Sequence, residues 1–230
     1  MAQLEKKFFG RLKGSLGDVV FRSRNDKNYI AQKPKSYTPP SDPKFKERTG
    51  KFRVAVKLAS TIYSIDHLKQ IWNANAGAGK TAFNELVQVN YPFVADGNLT
   101  NLIKIVPKSS FGVKLQTLTM DDSTLNIELA ALSELSNIDV TVEKQIQILA
   151  IIFLGTPINE ALPSYEFINV SSSKQLISLS GPLTFSIPLL TADTDVAVNY
   201  SNKKVLFTAL TFDENNSLVQ YSSTVNYNVQ

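Results

Sequence analysis

The sequence predicts an α+β chain: an N-terminal β-ribbon arm, a short helical hairpin and a C-terminal antiparallel β-sandwich of immunoglobulin-like kind. Three observations carry this. Short apolar segments, several of them alternating, run from Val113 to Val225 with turn clusters between them. Before them, Phe45 to Val89 repeats its apolar residues at helical spacing. First of all, residues 1–43 are rich in basic residues, glycine and proline, and hold few side chains that would fill a core. The expected organisation is a basic extended arm with a β-ribbon over 1–43, the helical hairpin over 44–92 and the β-sandwich over 93–230.

In the arm, residues 1–9 set Phe8 and Phe9 among charges and read as an extended tail. Val19-Val20-Phe21-Arg22 is one strand and Asn28-Tyr29-Ile30-Ala31-Gln32 the other. Asn25-Asp26-Lys27 supplies turn residues that bond their own backbone. Gly10, Gly14 and Gly17 precede the ribbon and permit sharp bends. Pro34 to Pro43 holds four prolines, each fixing φ and pushing its predecessor away from helix, so this is an extended spacer. Two strands alone are marginal in water, so the ribbon is expected to lie on another surface, of its own chain or of a neighbour.

Ser41 or Asp42 suits a helix N-cap and Pro43 the first helical position. Phe45, Phe52, Val56, Ala59 and Ile62-Tyr63 continue that helix, and Ile65, Leu68, Ile71 and Trp72 form a second phase that Gly77 and Gly79 stop. Lys80 to Val89 is a further short helix, ended by Tyr91-Pro92. The strands expected after it are 113–120, 125–132, 138–142, 146–154, 166–170, 176–179, 183–190, 196–200, 205–212 and 218–225. Leu125-Asn126-Ile127-Glu128-Leu129 shows the alternation most plainly.

Absence of cysteine excludes disulfides, thiol catalysis and thiolate metal sites. The longest apolar run, Ile146 to Leu154, is far short of the roughly 20 residues of a membrane helix and reads as a buried strand. Leu4 to Phe9 has charges where a signal peptide needs an apolar core, so none is expected. The net charge of +4 conceals an asymmetry. Residues 1–53 hold 14 Lys and Arg against 5 Asp and Glu, and residues 54–230 hold 10 against 15. A basic arm on a mildly acidic body suits a negative partner, either nucleic acid or a neighbouring copy.

Each candidate for chemistry has a plainer structural reading. Ala74 to Thr81 ends in Gly-Lys-Thr like a phosphate-binding loop, but Ala74 stands where the first glycine is needed and a helix precedes it, so a turn between helices is expected. His67 is the only histidine and reads as a helix-surface or interface residue. Asp121-Asp122, Asp193/Asp195 and Asp213 fit no regular calcium loop and read as turn residues. No catalytic residue, metal site or cofactor is therefore assigned, and the chain is expected not to be an enzyme. Arg22, Arg24, Lys27, Tyr29, Lys33 and Arg48 form the partner-binding set of the arm. Basic residues beside an aromatic grip phosphate and stack on bases, or pair with acidic side chains of another subunit; no helix-turn-helix or zinc finger is present, which favours protein contact over nucleic acid.

Gly14, Gly17, Val19-Val20, Tyr29, Lys33-Pro34, Pro43, Arg48 and Phe52 together resemble a module widespread in proteins of Bacteroidetes bacteria and their phages, including virion proteins of crAss-like phages. Ala209-Leu210-Thr211-Phe212-Asp213 through Gln220-Tyr221-Ser222 is similar to the last hairpin of β-sandwich domains in such proteins. The resemblance implies a structural component of a tailed-phage virion. A collar or tail-barrel ring protein would assemble through the arm as a homo-oligomer, with portal or tail-barrel components as neighbours, in the virion after assembly in the host cytoplasm. A capsid-associated decoration protein and a nucleic-acid-binding module are the alternatives. No membrane partner is expected.

Overall fold

The computed structural model describes residues 2–4, 13–24, 27–33, 40–95, 97–108, 111–121, 123–132 and 137–229. Phe8, Phe9, Gly10, the turn residues Asn25-Asp26, Pro34 to Pro39 and Asp122 lie outside them. The chain divides into two compact units, Met1–Phe45 and Lys46–Gln230.

The first unit is a four-stranded antiparallel sheet rather than a two-stranded ribbon. β1 (Ala2–Leu4), β2 (Gly14–Leu16), β3 (Val19–Arg24) and β4 (Lys27–Gln32) stand in the order β1-β4-β3-β2. The expected hairpin of β3 and β4 is present, with Arg24 paired to Lys27 and Val19 to Gln32. Two strands that were not expected extend it. Residues 2–4, read as tail, pair with Asn28 to Ile30, and residues 14–16 pair with Val19 to Phe21. The β2–β3 turn is two residues long and begins at Gly17, whose φ of +55° is the left-handed conformation that glycine takes without penalty. Three-residue strands give almost no periodic signal, which is why the sequence concealed them.

The second unit is layered, with mixed helices and antiparallel sheets. α1 (Pro43–Tyr63), which begins just before the unit boundary, α2 (Asp66–Asn75) and α3 (Ala82–Asn90) come first. At the start of α1, Asp42 Oδ1 accepts a hydrogen bond from Lys44 N at 3.1 Å, the N-cap role expected there. Thr81 caps α3 by accepting from Asn84 N at 3.3 Å. A 3₁₀ turn, Tyr91–Phe93, and the small hairpin of β5 (Val94–Ala95) and β6 (Asn98–Leu99) follow.

Two long strands form the centre. β9 (Gln145–Pro157) and β13 (Tyr200–Phe212) pair antiparallel along their whole length, from Tyr200↔Pro157 to Phe212↔Gln145. β10 (Tyr165–Ser171) and β11 (Gln175–Leu176) share the outer lane beside β9, and β14 (Leu218–Tyr221) and β15 (Val225–Val229) the outer lane beside β13. The three-stranded sheet β12-β8-β7 comprises β12 (Leu183–Pro188), β8 (Thr124–Leu129) and β7 (Leu115–Met120).

Strand alternation assigns each face of the centre to a different core. Leu149, Ile151 and Phe153 of β9, with Leu206, Leu210 and Phe212 of β13, pack with Val54, Leu58, Ile62, Leu68, Trp72 and Leu86 of the helices. Ile148, Ala150, Ile152 and Leu154, with Val205, Phe207 and Ala209, pack against Leu125, Ile127 and Leu129 of β8 and Phe185 of β12. A strand buried on both sides reads as a continuous apolar run, which is what Ile146 to Leu154 shows.

The two outer lanes break at matching places. Ser172 Oγ accepts from Ile148 N at 2.9 Å, and Ser222 Oγ accepts from Ala209 N at 2.9 Å. Ile148 and Ala209 are themselves a cross-strand pair, so the serines flank one rung of the ladder. Each hydroxyl supplies the acceptor that the interrupted edge strand no longer offers. This break divides the strand expected at 218–225 into β14 and β15.

Three other strand expectations are corrected. Residues 138–142 form a turn, because Asp139 Oδ1 accepts from Thr141 N at 2.9 Å and from Thr141 Oγ1 at 2.6 Å, and this local bonding displaces the ladder. Residues 196–200 are mostly the end of α4 (Thr191–Ala197) and its exit turn; Val196 and Val198 are exposed and Ala197 is buried, so their alternation marks no sheet face. The strand at 176–179 shrinks to the two residues of β11.

Candidate assembly surfaces

In the first unit, residues opposite one another across the ladder share a face. Arg22 stands opposite Tyr29, Val20 opposite Ala31, and Arg24 is paired with Lys27. Arg22, Lys27 and Tyr29 therefore come to one face, with Val20 and Ala31 between the sheet ends. The other face carries Val19, Phe21 and Ile30, with Leu16 of β2 opposite Val19 and 74% exposed. Lys33 follows the end of β4, where its N–H donates to Asp18 O at 2.6 Å. Arg48 lies on α1 in the second unit and is exposed. The sheet thus brings together Arg22, Lys27 and Tyr29, adds Lys33 at its end and leaves Arg48 to the other unit.

The second unit carries a groove that no sequence motif marked. It holds about 310 Å³ between β10, the start of β13 and α4. Leu162, Pro163, Phe167, Ile168, Val196 and Tyr200 make it apolar, and Glu166 and Asp193 put carboxylates on it. Tyr200 donates its hydroxyl to Pro163 O at 2.9 Å, and burial holds its pKa above that of a free tyrosine, with the Glu166 charge adding to the effect. Ile158 is 72% exposed, and its N–H donates to Asn199 O at 2.9 Å, which places it beside the groove. Leu190 is 71% exposed, directly before α4. A signal existed in the sequence: Gln145 to Asn202 contains one basic residue, Lys174, against Glu160, Glu166, Asp193 and Asp195.

The motif-like segments are engaged structurally. In the loop between α2 and α3, Gly77 N donates to Glu85 Oε2 at 2.7 Å and Lys80 Nζ donates to Gln88 Oε1 at 3.1 Å. A carboxylate already occupies a backbone donor that a phosphate would need, and the lysine is turned to a side chain of α3. His67 packs its ring edge-on against Phe212, at 5.2 Å between centroids. Its pKa is lowered, first by burial and then by the Lys174 ammonium, while Asp66 opposes the shift. Lys174 sits over the Phe212 ring at 3.4 Å and donates to Asn216 Oδ1. His67 and Asn216 border a shallow cleft of about 490 Å³ with Asn75 and Tyr221.

Of the acidic candidates, Asp121 and Asp213 are turn residues as expected, while Asp193 and Asp195 lie on the helix α4 instead. Asp121 Oδ1 accepts from Ser123 N at 2.9 Å, which lowers its pKa, and Asp213 Oδ1 accepts from Ser217 N at 2.7 Å. Asp193 lies in the first turn of α4. Among the described residues there is no group of three or more His, Cys, Asp or Glu placed to hold a metal. No described helix is long and apolar enough to cross a membrane.

A buried cation does structural work. Lys204 is 5% exposed, and its ammonium donates to Leu99 O and, at 2.9 Å, to Asn101 Oδ1, tying the segment after β6 to β13. Trp72 Nε1 donates to Ile105 O at 2.9 Å, and Asn90 Oδ1 accepts from Lys104 N at 2.8 Å. These side chains satisfy backbone groups of a segment that has no sheet partner.

No protein-family model matches the chain, and no curated protein does. The chain is similar over 53% of its length to 15% of selenomethionine-labelled β-glucosidase from Kluyveromyces marxianus, at 10% identity and a TM-score of 0.21. The same enzyme in complex with glucose matches at 13% identity and a TM-score of 0.21, over 53% of this chain and 14% of that one. The N-terminal domain of PorA matches at 16% identity and a TM-score of 0.22, over 54% of this chain and 89% of that domain. At such TM-scores these likenesses carry no argument about fold or activity.

Proposed function

We propose that this chain is a non-enzymatic structural component of a tailed-phage virion, a collar or tail-barrel ring protein that assembles through its N-terminal unit. The observation that carries the reading is the separation of labour between the units. Among the described residues, every member of the two buried cores lies at Val54 or beyond, so the body has its interior without residues 1–43. The first unit is a small sheet with Arg22, Lys27 and Tyr29 on one face and the exposed Leu16 on the other. A sheet normally buries one face against a second layer, and a neighbouring subunit supplies such a layer. The resemblance of Gly14 to Phe52 to modules of crAss-like phage virion proteins supplies the particle. On this reading the two packed sheets of the body are an immunoglobulin-like sandwich. The homo-oligomer is a ring closed by head-to-tail contacts, its neighbours are portal or tail-barrel components, and it reaches the virion from the host cytoplasm.

Removing residues 1–43 tests this. The truncated chain is expected to keep the helical circular dichroism and buried-tryptophan fluorescence of the body and to sediment as a monomer where the full chain is an oligomer. An unchanged oligomer refutes the reading. Nucleic-acid binding is the second reading, favoured by Tyr29 standing between two cations on one face. It requires DNA affinity that falls steeply with salt and disappears when Arg22, Arg24 and Lys27 are neutralised.

A further inference from the structure

We propose that the acid-rimmed groove between β10, α4 and the start of β13 is the receptor for the N-terminal sheet of a second copy. The inference rests on the arm-mediated assembly proposed above and names the surface that receives the arm.

Charge complementarity selects the occupant. The groove lies in a stretch of 58 residues, 145–202, whose one basic residue is Lys174. That lysine is held over Phe212 and Asn216, beside β11, which pairs with Gln145 and Ile146. The groove lies by Tyr165 and Glu166, which pair with Gly155 and Leu154 at the opposite end of β9. Two cations of α1 stand near this end: Lys57, half exposed, faces Glu166 at 4.0 Å, a separation at which an ion pair holds its partner weakly, and the Arg53 charge reaches Tyr165. Asp193 on α4 is the second carboxylate on the groove, and Ile158, bonded to Asn199 of the lining, continues its apolar floor outward.

The basic face of the first unit has the reverse composition. Tyr29, Val20 and Ala31 are its apolar part, and Arg22 and Lys27 its charges. Over residues 1–45 there are 10 Lys and Arg against 4 Asp and Glu. Opposite residues on neighbouring strands have Cβ atoms about 5 Å apart, so Tyr29 and Arg22 present one aromatic and one cation side by side. An aromatic fits the floor while the cations meet the rim. Complementary potentials of this kind set partner choice and register. Because the same chain carries both halves, two copies can exchange arms reciprocally or many can join head-to-tail, and the head-to-tail contact closes a ring when the rotation permits.

Charge exchange in the full-length chain tests the assignment by sedimentation velocity at low and moderate salt. Asp193→Lys with Glu166→Lys is expected to weaken self-association at least tenfold, and Arg22→Glu with Lys27→Glu to do the same. All four changes in one chain are expected to restore the wild-type oligomer, which also shows that the paired variants fold. If the groove variant assembles like the wild type, or the fourfold variant stays dissociated, the groove is not the receptor. Loss of assembly on removing residues 1–43 would then leave the arm reading standing. Persistence of the oligomer without residues 1–43, or a wild-type chain that is monomeric at every concentration, overturns both.

Discussion

Replacing Gly155 by alanine adds one methyl group where there is no room for it. Gly155 is a buried residue of β9, and a Cβ built on it comes within 2.8 Å of Phe153 Cε1 and 2.8 Å of Asn98 Oδ1. Neither neighbour is free to yield. The Phe153 ring is fully buried, with Tyr165 and Phe167 at centroid distances of 6.5 and 5.3 Å. Asn98 Oδ1 accepts a hydrogen bond from Asn202 Nδ2 at 2.9 Å. Forcing a methylene into a packed core costs about 1–3 kcal/mol. Restricting the unfolded chain returns about 0.4–1 kcal/mol, since the backbone here needs no left-handed φ. With the middle of each range, the net expectation is a loss of about 1.3 kcal/mol, or roughly 3–5 °C in Tm for a chain of this size. Urea and thermal unfolding followed by the fluorescence of Trp72, the single and buried tryptophan, measures it directly. Gly50→Ala is the control: it lies inside α1 with nothing within 4 Å of the added Cβ, and is expected to stabilise by about 0.5–1 kcal/mol. If Gly155→Ala is as stable as the wild type, the packing around Phe153 is looser than described and the reasoning fails.

Ser222→Ala and Ser172→Ala should each destabilise by about 1–3 kcal/mol, because Ala209 N–H or Ile148 N–H is left buried without an acceptor; equal stability in urea titrations refutes the role given to these hydroxyls. His67 should titrate below 6.5, readable without ambiguity by proton NMR since it is the only histidine. Its folded pKa lies below its unfolded one, so the unfolded chain binds more protons between the two values. Stability is therefore highest above pH 6.5 and declines as pH falls from there towards the folded pKa, a dependence that His67→Gln should flatten. Magnesium-ATP should give no saturable binding, because Glu85 and Gln88 hold the loop donors; binding that Lys80→Ala abolishes would restore the phosphate-loop reading.

Much of the architecture was legible in local signals. Asp42 and Pro43 start a helix because a side-chain acceptor and a fixed φ act over three residues. Leu125 to Leu129 alternates because one face of β8 is buried. The pairing of Val19 to Arg24 with Lys27 to Gln32 follows from strand propensity on either side of turn residues. Where the reading failed, the determinant was distant in sequence or too short to be periodic. Asp139 and Thr141 turn a β-branched segment through two local hydrogen bonds. Ser222 breaks its strand by bonding Ala209 across the sheet.

By itself, then, the sequence determined the α+β class, the helix starts, the buried central strand and the opposition of a basic start to an acidic body, since each is a property of neighbouring residues or of summed charge. Only the tertiary structure decided that β9 and β13 pair end to end and divide two cores, that short strands enlarge the ribbon to a sheet with Arg22, Lys27 and Tyr29 on one face, and that Glu166 and Asp193 meet over an apolar groove. Those facts depend on long-range register. A one-residue slip sends every side chain of a strand to the other face, and no window of the sequence contains that information.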